Sequence, residues 1–162
     1  MRKLIVTCAL AGLALTLAAC DNDAKKSRPS FYVSLASASA QIDSKMASNM
    51  ISAYRRNHGL GPLVLDPALQ AAAEQEARAM AGSDKPTSAD TIKQRLARSG
   101  TAKAEVNTSA GYHTLAEAFS GWRDSPQHNR VMLNASMKRM GIATAYAPGS
   151  KYKVYWVLIE AP

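Results

Sequence analysis

The stretch TLAEAFSGWRDSPQHNRVML, residues 114–133, holds two helix starts in succession. Thr114 and Glu117 stand at capping-box spacing, the hydroxyl bonding forward and the carboxylate reaching back to the same turn. Leu115, Ala118, Phe119 and Trp122 then recur at i, i+3, i+4 and i+7, the stripe of an amphipathic helix. Pro126 begins a further turn that Asp124 or Ser125 caps, with Val131, Met132 and Leu133 directed inward. The capping role gives Glu117 structural work. His128 falls in the first turn of the second helix and is the residue here with chemistry to offer.

Upstream, Met46, Met50 and Tyr54, flanked by Ala47 and Ile51, form one helical face that Asp43 or Ser44 can cap and Gly59 ends. His58, at that helix's C-terminus, complements the dipole. Residues 60–65 read as a turn-rich connection. Asp66-Pro67 is an N-cap and first-residue pair for a helix burying Leu69, Ala72, Ala73, Ala77 and Met80, with Glu76 as a boundary charge. Residues 82–90 read as a loop, and residues 91–99 as a short helix with Ile92 and Leu96 inward. Residues 104–109 are compatible with a strand, which Gly111 turns. Residues 141–146 and 152–159 are rich in β-branched and aromatic residues and flank Pro148-Gly149-Ser150, a hairpin signal. Helices first and paired strands last predict an α+β domain, helices packed on a small antiparallel sheet.

The N-terminus sets the compartment. Arg2 and Lys3 precede an apolar run over residues 4–19, short of the ~20 residues that span a bilayer and laid out as an export signal. Its end, Leu17-Ala18-Ala19-Cys20, resembles a bacterial lipobox, which implies cleavage after residue 19 and lipidation of Cys20. An ordinary export signal with Cys20 following by chance is the alternative. Only Cys8 and Cys20 occur, and Cys8 leaves with the signal, so a lipidated chain has no thiol for a disulfide. About 120 residues beyond a polar tether at 20–41 suffice for one core. Phe31, Tyr32 and Val33 are the tether residues suited to dock on the domain. Loss of Arg2 and Lys3 lowers the formal charge of +8 by two. With basic residues scattered, a nucleic-acid partner is not expected. The cations lie against anionic headgroups or cell-wall polymer, or are simply solvated.

MISAYRRNHGLGPLVLDPALQAAAEQEARAMA, AEVNTSAGY, GWRDSPQHNRVML, MGIATAY and YKVYWVLIEAP, in this order, resemble the CAP superfamily, the SCP-like domains related to cysteine-rich secretory proteins. The resemblance covers residues 42–162 and implies an α-β-α sandwich of the CAP/SCP type. It further implies a cleft that in many members holds two histidines and two acidic residues, in some with a divalent metal. Glu105 falls at the first glutamate and His128 at the second histidine. Thr87 or Ser88 stands where the first histidine is expected, and Ser125, beside Asp124, where the second glutamate is. Zinc needs three or four ligands; Glu105 and His128 supply two, and His113 a third if its loop folds back. The expected cleft residues are therefore Glu105, His128, Ser125, Asp124 and His113.

The leading expectation is a lipid-anchored envelope module, without enzymatic activity, that binds a small apolar, lipidic or cell-wall ligand near Glu105 and His128. One alternative is a hydrolase of peptide or ester bonds, either metal-assisted or using Ser125 and His128 as a dyad. Another is a purely structural envelope protein. Asp21 after Cys20 resembles an inner-membrane retention signal, favouring the periplasmic face of the inner membrane, with the outer membrane as alternative.

Overall fold

The computed structural model describes residues 29–162; the expected signal segment, Cys20 and Asp21 lie outside them. Five helices and four strands follow in chain order: α1 (Ser44–Asn57), β1 (Val64–Leu65), α2 (Pro67–Ser83), α3 (Ala89–Arg98), β2 (Glu105–Ala110), α4 (Leu115–Asp124), α5 (Pro126–Met132), β3 (Arg139–Tyr146) and β4 (Val154–Ala161). The sheet order is β1-β3-β4-β2. β4 pairs antiparallel with both β2 and β3, so the expected hairpin forms. The sheet is nonetheless mixed, because Val64–Leu65, read as a connection, pairs parallel with Arg139 and Met140 of β3. Two residues are too few to display the period-2 alternation by which a strand is recognised.

The two faces of the sheet carry separate cores, giving the expected α-β-α sandwich. Met140, Ile142, Trp156 and Leu158 face α1, α4 and α5, meeting Ile51, Leu115, Ala118, Trp122 and Met132. Ala143, Val157, Ile159 and Val106 face α2 and α3, meeting Leu69, Ala73, Ala77, Met80, Ile92 and Leu96. The alanines of α2 let its backbone lie almost on β3. Gly141 completes that approach, since a Cβ there would stand 2.3 Å from the carbonyl carbon of Leu69.

Helix ends follow local chemistry. Asp66 accepts from the N–H groups of Ala68 and Leu69, and the Thr114–Glu117 capping box is formed in both directions. α2 runs past Gly82 to Ser83, ending where Asp84 takes a left-handed conformation, and α3 begins early because Ser88 accepts from Thr91 N. The loop read at residues 82–90 therefore shrinks to a few residues. Neither expected cap of α5 donates its side chain to the task. Asp124 is held by Arg123 at 2.9 Å, and Ser125 closes α4 and opens α5 through its backbone alone. Glu76, read as a boundary charge, is buried and paired with Arg95 at 2.6 Å. Ahead of Ile42, Leu35 is buried in the core and its N–H donates to the carbonyl of His113.

Arg55 is 1 % exposed. Its Nε donates to Gly61 O, its Nη1 to Met132 O and Asn134 O, and its Nη2 to Met137 O. One guanidinium thus ties the end of α1 to the turn before β1, the end of α5 and the approach to β3.

Gly141→Ala is expected to destabilise the fold by about 1–3 kcal/mol or more, because the clash is with helix backbone that cannot rotate away. An unchanged thermal midpoint would contradict this packing.

Candidate functional site

β2 is an edge strand, with α3 packed on one of its faces and α5 on the other. Across its edge, at Glu105 and Val106, the two helices leave a cleft of about 410 Å³. Ser88, Asp90 and Lys93 line it from the α3 side, and Gln127, Arg130, Val131 and Asn134 from the α5 side. Lys93 Nζ lies 3.1 Å from Asp90 and 3.6 Å from Glu105, so one ammonium is shared by two carboxylates. Charges of both signs, one hydroxyl and two amides make the lining polar; its apolar members are Ala89, Val106 and Val131. A larger hollow, about 730 Å³, lies by Tyr32, Thr114, Ala116, Glu117 and Ser120. Its carboxylate already accepts from the N–H groups of His113 and Thr114, which leaves that hollow with little chemistry to offer.

The expected site residues separate. Glu105 lines the cleft, as does Ser88, which stands near the place of the family's first histidine. His128 does not line it. The α5 side chains that do, Gln127, Arg130 and Val131, share a helical face that Asn134 extends just past the helix end, and His128 is offset by about 100° from Gln127. Among the described residues no hydrogen bond or ion pair joins the His128 ring to Glu105 or Ser125, so the Ser125–His128 dyad is not assembled. It is the backbone carbonyl of His128 that binds β2, accepting from Asn107 Nδ2 at 3.0 Å. The ring is half-buried, and burial lowers its pKa from the ordinary 6.5.

Asp124 is exposed, and the hydrogen bond from Arg123 holds its carboxyl below the usual value. His113 serves the entry to α4, its N–H donating to Glu117 at 2.6 Å. The rest of β2 separates it from Glu105, about 17 Å of extended chain at ~3.3 Å per residue. Among the described residues no three His, Cys, Asp or Glu side chains converge as metal ligands. The Glu105, His128 and His113 set is therefore not the site zinc requires.

A further acidic residue, buried, lies across the strand from Glu105. Glu160 of β4 stands directly opposite Glu105 in the strand register and is 0 % exposed. Neither of its carboxyl oxygens has a hydrogen-bond partner, nor has Asn107 Oδ1. Burial raises the Glu160 pKa to about 8, with Arg55 pulling it down and Glu105 pushing it up. The signal was present in the sequence. Extending the core-facing alternation of Trp156 and Leu158 one step further reaches Glu160.

Comparison with known proteins gives a consistent picture. The model of the cysteine-rich secretory protein family, CAP, matches residues 48–159. No individual curated protein matches. Among solved structures, an extracellular SCP-domain protein from Bacillus anthracis str. Ames is similar at TM-score 0.61 and 20% identity, over 73% of this chain and 39% of that one. A cysteine-rich secretory protein from Staphylococcus aureus subsp. aureus Mu50 gives 0.60 and 18%, over 72% and 37%. An outer surface protein of Borrelia burgdorferi gives 0.63 and 18%, over 75% and 96%. The match thus spans about two-fifths of the length of the first two and nearly all of the third.

The His128 ring is expected to titrate with a midpoint below 6.5, read from its Cε1 proton by NMR. Because the unfolded chain then takes up the proton more readily, acidification from 6.5 towards the folded midpoint costs stability through this group. A midpoint at or above 6.5 would contradict the half-buried placement.

Proposed function

The chain belongs to the cysteine-rich secretory protein (CAP) family, and from that premise we propose that it is a lipid-anchored envelope module whose cleft binds a polar cell-wall fragment. The observation that carries this reading is the lining at the edge of β2. Lys93 and Arg130 suit carboxylates, Asp90 and Glu105 suit amines, and Ser88, Gln127 and Asn134 suit hydroxyls and amides. Peptide-bearing cell-wall polymer offers all of these groups. A purely apolar guest would meet few apolar side chains and would strip water from four charges, which is unfavourable. A polar cell-wall ligand therefore suits this cleft better than an apolar or lipidic one.

The anchoring part of the proposal rests on Leu17-Ala18-Ala19-Cys20, and the inner-membrane face on Asp21. Multiple acyl chains, at about 0.8 kcal/mol per buried CH₂, hold a protein stably at a bilayer. Among the described residues no helix is long and apolar enough to cross a membrane.

Titration calorimetry with soluble disaccharide-peptide fragments of peptidoglycan tests the cleft. Glu105→Gln and Arg130→Ala are each expected to weaken binding by roughly 5- to 30-fold, the worth of one charge-assisted contact of about 1–2 kcal/mol. His128→Ala should leave it within about twofold, since that ring lies off the cleft. Equal losses in all three variants would refute the assignment. Labelling cells with an alkynyl palmitate analogue should tag the protein, and Cys20→Ala should abolish the tag; a tag surviving the substitution would remove the anchor.

A further inference from the structure

The buried carboxyl at Glu160 serves none of the roles described so far. It sits on the central strand β4, flanked in register by Glu105 of β2 and Met140 of β3. Asn107, two residues along β2 from Glu105, is its diagonal neighbour on the same face of the sheet. Three acceptor oxygens, both of Glu160 and Oδ1 of Asn107, are shut away from solvent without a donor. An ionised carboxylate in such a place has lost its water and gained nothing in return. A neutral carboxyl brings a donor of its own, and Asn107 Oδ1 is an unpartnered acceptor beside it.

The charges facing Glu160 come from two elements, α1 and β2. Arg55 of α1 favours the ionised form by its field, but four donations to carbonyls occupy its guanidinium and no ion pair joins the two. Glu105 of β2 opposes ionisation and is itself paired with Lys93 of α3. α5 presents Val131 and Met132 to the core, neither of them titratable. From β3 the neighbour is Met140, also without charge.

We propose that Glu160 is a buried proton-binding site, coupled through Glu105 to the cleft above it. In the protonated state the Glu160 O–H supplies the donor that Asn107 lacks, and the cleft keeps only the charges on its own lining. Loss of the proton places a second negative charge beside Glu105, makes the cleft more negative and leaves an uncompensated carboxylate beneath α5. By linkage, a cationic group seated against Glu105 draws that proton off, and an anionic one retains it. This consequence rests on the ligand-binding reading of the cleft, whereas the titration needs no ligand, so the two can fail separately.

The sign for stability follows from the folded pKa of about 8 against an ordinary value of 4.5. Between those values the folded chain holds a proton that the unfolded chain has released. The contribution is therefore fully present below 4.5 and is lost as pH rises to about 8, where burial raises the carboxyl. The folding equilibrium constant should fall by up to about tenfold per pH unit across that window from this group alone.

The test is carboxyl ¹³C NMR of the ligand-free protein labelled at glutamate, with Glu160 assigned by through-bond correlation to its backbone. The expected result is a Glu160 midpoint far above the other carboxyls, moving down in Glu105→Gln and up in Lys93→Met. Glu160→Gln should in addition flatten the fall of stability above pH 4.5, provided it folds; the NMR titration does not depend on that variant. A midpoint in the ordinary carboxylate range, or one that neither neighbouring substitution moves, would overturn the proposal.

Discussion

Everything on the α5 side of the sheet depends on one buried cation. Arg55 collects the carbonyls of Gly61, Met132, Asn134 and Met137, groups that the sequence scatters over 77 positions and that no helix or strand would satisfy. Each charge-assisted bond of this kind contributes about 1.5–3 kcal/mol, and a buried carbonyl left without a donor costs about 1–3 kcal/mol. The guanidinium is suited to the place because its donors are fixed in one plane, so several carbonyls can converge on it. That convergence ties the end of α5 and the entry to β3 back to α1, alongside the backbone bonds from Leu133 N–H to Asn129 O and from Lys138 N–H to Ala161 O. The short α5, of seven residues, gains little from intrinsic helix stability and relies on such tertiary ties.

The position of α5 then decides the chemistry of the cleft. Pinned by Arg55 at its C-terminal end and by Asn107 at the carbonyl of His128, the helix turns Gln127 and Arg130 toward the cleft it shares with α3. Glu160 and Asn107 Oδ1 are buried on this same side of the sheet. A buried arginine and a buried glutamic acid on one side of one sheet form an electrostatic unit, although they do not touch. The cleft and the acid below it meet at Glu105, exposed to one and cross-strand to the other.

How much of this could be read from the sequence varies with the range of the interaction. The α4 capping box, the Asp66-Pro67 start and the β3–β4 hairpin are local, so residue types a few positions apart declare them. The parallel strand β1 is not legible, because two residues show no period and its partner lies 75 positions away. Arg55 is hidden for a different reason. Helical period places Arg55 on the face of Ala47 and Ile51, but its partners are backbone carbonyls, to which any residue type contributes equally, so the residue types do not reveal what it binds. The Ser-Pro-x-His motif fixed attention on His128, yet the cleft is lined by the face beginning at Gln127, and only the rotation of α5 about its axis decides between them. Glu160 is legible by alternation, two positions beyond Leu158 on the same face of β4.

The proposed ligand site lies at the edge of β2, between α3 and α5. The most direct measurement is amide chemical-shift mapping of ¹⁵N-labelled protein during titration with a soluble disaccharide-peptide fragment of peptidoglycan. The account predicts saturable shifts clustered on residues 88–93, 105–107 and 127–134. Shifts confined to the hollow around Tyr32, Thr114 and Ser120, or no saturable shifts at all, would contradict it.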